Sequence, residues 1–504
     1  MMEFDIIVVG SGTAGCAVAR RLAERTDLRC LLIEAGPAYP GWALSAPLAS
    51  LRLRKLWSWP AETVPQEQLL GRKIELPMGR VTGGTSAVNA MIAVEGPAAD
   101  FDHWATNGCP GWGWADLQPG LERAASRSGN AMLLVSDPGF VSDFSGSFLD
   151  ACEEAGIRRV PSLNGGESET CGFFPVFQRN SRRESAANYL AASVPGNRLQ
   201  LRTRTEVRRV LFKAGRAVGV ELGGRMTGSR VIARRGVIVC AGTLLSPKIL
   251  QCSGIGPAEL LTAAGIDVEM DLPEVGLNLQ DHVRAPVLME STALSPGRKS
   301  RWLPAALRYF LGRGGVMASN CCEAGCFLGQ PGQSPDIEII TLFQTIRDPR
   351  AIELMAVLMH PESRGTVHID RHNPFGPPRI DPRYLTAPKD VDLLMEGIGR
   401  IREIVKQPSM KRFGITREIL PNCADLRKFL QAEASTCHHP AGTCRMGQDQ
   451  TSVVDPGLRV RGVENLWVAD CSIIPALPAS HTAMTAMMIG ERAAELLELQ
   501  LGQC

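Results

Sequence analysis

Three glycines mark the first place where this chain could do chemistry: Gly10-x-Gly12-x-x-Gly15, with an acidic residue, Glu34, nineteen positions beyond the last of them. Glycines at this spacing let a chain turn sharply, bring backbone against a phosphate, and seat a helix close to a strand. A helix that starts there, through Thr13 and Ala14, offers unpaired N–H groups and partial positive charge to a pyrophosphate. Glu34, followed by Ala35, can accept hydrogen bonds from ribose hydroxyls and would repel the extra phosphate of NADP. These residues point to a dinucleotide and leave FAD and NAD open. Cys437-His438-His439-x4-Cys444 and Cys321-Cys322-x3-Cys326 lack the paired spacing of a structural zinc site, and no metal is expected. Met484, Met487 and Met488 fit a helix core.

The elements that must hold such a site surround it. Phe4 to Val9 is an apolar, β-branched run of the kind a buried parallel strand shows. Cys16 to Arg25 repeats apolar residues on one face, at Val18, Leu22 and Ala23, and Arg29 to Ile33 is a second strand that ends at Glu34. Gly236 to Gly242 and Asn465 to Asp470 read as further strands ending in turns, and Thr482 to Leu499 as a closing helix. Between them, strands at 336–340 and 366–369 and a helix at 389–406 suggest a second domain. The expected fold is therefore α/β: a discontinuous Rossmann-like nucleotide-binding domain plus an α+β domain. The expected divisions are 1–282, with an excursion into the second domain near 125–195, then 283–430, then a return to the first domain over 431–504. Turn residues predict loops at 126–138, 295–297 and 312–315.

Composition narrows the partners. Of 504 residues, 54 are Lys or Arg and 52 Asp or Glu, a net charge of +2. That balance argues against nucleic acid or an anionic membrane as a partner held by bulk charge. No run approaches the 18 apolar residues of a membrane span. No leader-like segment precedes Phe4, and the fifteen cysteines are scattered through a large chain. Reduced thiols and a cytoplasmic location are expected.

Two more stretches decide between the nucleotides. Gly79-Arg80-Val81-Thr82-Gly83-Gly84-Thr85-Ser86-Ala87-Val88-Asn89-Ala90 resembles the first signature of the glucose–methanol–choline (GMC) flavoprotein oxidoreductases. Gly242 to Gly256 resembles the second. His439 to Gly447, Pro361 to Gly365 and Gly490 to Ala494 are also similar to that family, so the resemblance covers nearly the whole chain in order. It implies FAD, a flavin domain and a substrate-binding domain. It further implies that Arg80, Gly83, Gly84, Thr85, Ser86, Asn89 and Ala90 run along the flavin and pyrophosphate. Val207 would meet the adenine through its backbone, Ala241 and Gly242 would border the cofactor, and Asp470 would lie near the ribityl and phosphate groups. Glycine and small hydroxyl residues independently suit a backbone that approaches a flat ring and phosphates.

The family oxidises an alcohol to an aldehyde or ketone, with flavin N5 taking the hydride and a base taking the hydroxyl proton. Of the eight histidines, the two matching the family's active-site positions are His439, before Pro440, and His481, before the closing helix. The resemblance implies His439 as the main base and His481 as the residue that orients the substrate oxygen. Thr482 starts a helix whose N–H groups could face the reduced flavin. His438 is left without a role, and His282 is read as structural or flavin-adjacent. The partners expected are a small-molecule alcohol and an electron acceptor, O2 or another. The alternative on the same scaffold is an FAD-containing hydroxynitrile lyase.

Thr82 departs from the family's usual aliphatic residue and is expected to affect packing alone. Val88 stands where some members carry a histidine bonded to the flavin, and valine cannot form that bond. FAD is therefore expected to be non-covalent. Acid precipitation of the purified protein should leave the yellow chromophore in the supernatant; colour retained in the pellet would contradict this.

Overall fold

In the computed structural model of the protein, residues 3–128, 131–164, 166–191, 195–292, 302–312, 314–342 and 351–502 are described. The loop expected at 295–297 lies outside these residues.

One seven-stranded sheet is assembled from three separated parts of the chain. Its order is 199–202, 30–33, 3–9, 230–239, 216–222, 207–213, and the strand Leu466–Val468 also pairs with Arg230–Val239. The long strand Arg230–Val239 makes this possible. Its first half pairs antiparallel with Arg216–Leu222, and its second half takes Leu466–Val468 in parallel on the same side. The strands at its centre are apolar on both faces because helices cover them. Ile6, Ile7 and Val8 are fully buried, as are Val237, Ile238 and Val239. Each such side chain contributes about 1.5–3 kcal/mol by leaving water.

The helix Thr13–Arg25 crosses from the first strand to the second with Val18, Leu22 and Ala23 inward. The closing helix Thr482–Gly502 lies against it. They meet at Gly490, where a Cβ would stand 2.8 Å from the Ala14 carbonyl oxygen and 2.8 Å from the Ala17 Cβ.

A second sheet has eight strands: 415–420, 283–291, 351–358, 337–342, 324–328, 170–173 and 158–159 in order, with Ser435–Thr436 added beside Val283–Ser291. Period-two alternation divides its faces. Ile337, Ile339, Ile352, Leu354 and Ala356 pack in one cluster with Leu394, Ile398 and Ile401 of the helix Pro388–Val405. Ile340 and Met355 belong to a different cluster on the opposite face, the one turned toward the first sheet.

The stretch 126–138 is not all loop. Leu133–Ser136 alternates buried and half-buried residues and forms a strand against Val176–Arg179. Gly312 closes the helix Trp302–Gly312 rather than opening a loop.

The helix contact at Gly490 has no room for a side chain. Gly490→Val should lower thermal stability by about 1–3 kcal/mol and reduce the FAD recovered with the purified protein. A wild-type melting temperature would show that the two helices can separate freely.

Candidate active site

The parallel strands of the first sheet stop level with one another. Ile33 pairs with Val9, Val9 with Val239, and Val239 with Val468. The residues that follow each strand therefore emerge along one carboxyl edge, the position where ligands bind on open α/β sheets. A cavity of about 2130 Å³ extends from this edge to the inner face of the second sheet.

Most residues singled out from the sequence line it. The first turn supplies Gly10, Gly12, Thr13 and Ala14, and the second strand supplies Glu34 and Ala35. The loop after Gly79 contributes Arg80, Gly84, Thr85, Ser86, Asn89 and Ala90. Val207, Ala241, Gly242, Asp470 and Thr482 follow, with His439 and His481. Two of the expected cofactor residues, Gly15 and Gly83, are not on the wall. A Cβ on Gly15 would stand 2.0 Å from the Gly10 carbonyl oxygen, so Gly15 serves the contact of helix on strand. Gly83, at φ +94°, turns the loop and donates its N–H to the Ser11 carbonyl at 2.8 Å.

The glycine turn has the form of a cradle. A Cβ on Gly10 would collide with the Cys240 carbonyl at 2.4 Å, whereas one on Gly12 would meet nothing within 4 Å. Gly12 thus faces open cavity, and no side chain caps the helix that starts after it. Gly84 stacks on Gly12, its own Cβ position only 2.7 Å from the Gly12 Cα. Glu34 accepts from the Ser11 N–H (3.1 Å) and hydroxyl (2.7 Å) and from the Gly36 N–H (2.8 Å). Burial pushes its carboxyl up from the ordinary value. Asp470 accepts from the Gly242 N–H (2.8 Å), the Ser246 hydroxyl (2.5 Å) and the Ser472 N–H (2.8 Å), and so ties two strand ends together. Arg183, fully enclosed, donates to the Ser86 carbonyl and the Asn89 side chain and holds the flavin loop from behind. Burial lowers its pKa to about 10.

At the far end, the His439 and His481 rings meet edge to face with centroids 4.8 Å apart. Nδ1 of His439 lies 2.9 Å from Nδ1 of His282, and the His439 N–H donates to Asp281 at 2.9 Å. Asp281 also accepts from Tyr384 (2.5 Å) and Thr436 (2.6 Å), and burial raises its pKa to about 6. Nε2 of His481 lies 2.9 Å from a carboxylate oxygen of buried Glu338. Burial, then the neighbouring rings of His481, His282 and His438, hold His439 well below the usual histidine range. His438, unassigned from the sequence, also lines the cavity, at φ +66°.

Residues 4–284 match the N-terminal family model of the GMC oxidoreductases and residues 361–490 the C-terminal one. The chain belongs to the GMC oxidoreductases. It is 34% identical to an alcohol dehydrogenase (acceptor) of Pseudomonas putida, over 98% of this chain and 95% of that one. It is 35% identical to the mitochondrial choline dehydrogenase of Homo sapiens, over 99% of this chain and 90% of that one. Among solved structures, pyridoxine 4-oxidase from Mesorbium loti superposes with a TM-score of 0.87 at 29% identity, covering 97% of this chain and 98% of that one. This GMC oxidoreductase is an FAD enzyme, and the open cradle at Gly12, the uncapped helix and the carboxylate of Glu34 fit that cofactor. No helix among the described residues is long and apolar enough to cross a membrane.

Glu338, Arg284 and Glu353 were not singled out from the sequence. Glu338 and Glu353 are each the lone charge in an apolar strand, and Arg284 interrupts the apolar run Val283–Met289; that interruption is the signal that could have found them. His282, read as structural or flavin-adjacent, lies with Asp281 behind His439, a place that depends on the chain crossing between sheets.

Gly12 has an ordinary φ of −70°, so alanine there meets neither strain nor protein atoms. Gly12→Ala should leave the apoprotein's melting temperature near wild type and weaken FAD binding at least about tenfold, since the methyl enters the phosphate space. Undiminished FAD affinity would place the phosphates elsewhere.

Proposed function

We propose that this GMC oxidoreductase oxidises the CH–OH group of a small alcohol to an aldehyde or ketone and passes the electrons to O2 or another acceptor. The observation that carries the reading is the paired imidazoles at the end of the cofactor cavity, His439 against His481 at 4.8 Å. FAD, when bound, supplies the hydride acceptor at N5. Val88 on the cavity wall offers no nucleophile, which supports non-covalent binding.

His439 takes the hydroxyl proton. Its low pKa keeps it neutral, and its tautomer follows from its neighbour. Burial, then the neighbouring rings of His481 and His360, push the His282 pKa down to about 3, so it is neutral with one ring proton, which the proposed arrangement puts on Nε2. With Nε2 of His282 protonated, its Nδ1 accepts from Nδ1–H of His439. The lone pair of His439 is then on Nε2, which is left for the substrate. Asp281 fixes the backbone of His439, and so His282 and Asp281 are positioning residues.

Glu338 holds Nε2 of His481 at 2.9 Å, which fixes the ring edge to face with His439 and leaves its Nδ1 side toward the substrate. Together the rings hold the alcohol so that its C–H faces the flavin loop. The dehydrogenase and oxidase relatives support redox chemistry, and cyanohydrin cleavage is not favoured.

Anaerobic mixing of the holoenzyme with a broad alcohol panel should bleach the flavin; no bleaching with any member would defeat the reading. His439→Ala should keep FAD and slow bleaching by about 10²–10⁴. Because His439 titrates well below its ordinary value, the rate should be level above about pH 6.5 and fall only in more acid solution. A rate that keeps climbing above pH 7 would show that a different base acts.

A further inference from the structure

The cavity wall near the histidines carries positive charge that its carboxylates offset only in part. Arg284, on the inner face of the second sheet, donates Nε–H to the Thr436 carbonyl at 3.0 Å, two residues before His438. Its Nη1 lies 3.9 Å from a carboxylate oxygen of Glu353, which offsets its charge. Arg54 follows the helix Pro47–Leu53 and lines the same cavity. It is half-buried; its guanidinium makes no hydrogen bond or ion pair with any described residue, and the Glu75 carboxylate, which pairs with Lys55, acts on it only from a longer distance. Of the lysines on this wall, Lys55 pairs with Glu75 at 2.7 Å and Lys73 with Glu62 at 2.9 Å, and Lys248 donates to the Phe375 carbonyl at 3.2 Å. Arg54 and Arg284 lie close enough to press on each other and on His438, whose pKa falls to about 3 through burial and then these two cations.

The aromatic faces tell the same way. Among the described residues the cavity wall has two large aromatic rings, Trp59 and Phe375. The guanidinium of Arg80 sits 4.0 Å from the centre of Trp59, and that of Arg208 sits 3.5 Å from the centre of Phe375. A quaternary ammonium binds by open aromatic faces or by a free carboxylate. Here both faces are taken by arginines, and Glu206, a further carboxylate on the wall, adjoins Val207 at the expected adenine end rather than the histidines.

We propose that the alcohol this enzyme accepts bears a carboxylate remote from its CH–OH group, held by Arg54 with Arg284 beside it, and that cationic alcohols of the choline type are rejected. A planar guanidinium without a protein partner is suited to a carboxylate, which can take two parallel N–H bonds. The proposal rests on the alcohol-oxidising reading and names its substrate class.

The test uses holoenzyme and matched sets of alcohols, aryl and alkyl, each with a carboxylate, a neutral and a trimethylammonium member. Flavin bleaching is followed anaerobically. The carboxylate member should exceed the neutral one at least about tenfold in kcat/KM, mainly through KM, with the cation slowest. Arg54→Gln should reduce the carboxylate-to-neutral ratio at least about tenfold, and Arg54→Lys, which keeps the charge, should restore most of it. A preference for the neutral or cationic member, or a ratio unmoved in Arg54→Gln, overturns the proposal. If no alcohol bleaches the flavin, the oxidation reading fails and the anion site is judged alone by titrating benzoate against flavin absorbance. Binding weakened about tenfold in Arg54→Gln supports the site; no binding, or binding unchanged in the variant, overturns it.

Discussion

Everything at the catalytic centre depends on the register of one strand. Val239 lies level with Val9 on one side and with Val468 on the other. That alignment brings residues from opposite ends of the chain to one sheet edge: the glycine turn, the Ala241–Gly242 turn, and Asp470. Asp470 then fastens the arrangement by accepting from the Gly242 N–H and the Ser246 hydroxyl. A slip of one residue would turn each strand's side chains to the opposite face and separate Asp470 from the turn it holds. Gly84 stacking on Gly12 adds the flavin loop to the same edge. The distance in sequence between such parts matters less than their shared edge, because loop closure costs grow slowly with length.

The second sheet supplies what the first cannot. Its inner face brings Glu338 behind His481, and the chain passing between the sheets places Asp281 and His282 behind His439. Each imidazole at the reaction centre therefore has one nitrogen fixed by a neighbour, which leaves the other for substrate. Burial makes these contacts matter, since a polar group enclosed without a partner costs about 1–3 kcal/mol. The same enclosure favours the neutral form of His439. The proposed carboxylate site lies in the same cavity, at Arg54 with Arg284 and Glu353 beside it.

Much of this was legible in the sequence for identifiable reasons. The turn at Gly10–Gly15 is contiguous and dictated by steric rules, so its strand, helix and acidic partner could be read directly. The flavin loop and the two histidines were legible through family resemblance, since nothing in a lone histidine's neighbours distinguishes a base from a core residue. Gly15 seats the helix on the strand, as the spacing of the motif predicts, and Gly83 turns its loop, so neither lines the cavity. The hidden residues are those whose roles require contacts across the molecule. Glu338 reaches His481 over 143 positions, and Arg183 reaches Asn89 over 94. The expected loop at 126–138 missed a strand because Leu133–Ser136 is short and gains its partner, Val176–Arg179, from far along the chain.

The central claim is that the histidine pair and the cofactor cavity together break a C–H bond of an alcohol. The most direct measurement is the rate of anaerobic flavin bleaching with an alcohol deuterated at the carbinol carbon, compared with the same alcohol carrying hydrogen. Removal of a hydride in the slow step predicts clearly slower bleaching of the deuterated substrate. Equal rates at saturating substrate in a chemistry-limited single turnover, or product formation with no bleaching, would contradict it.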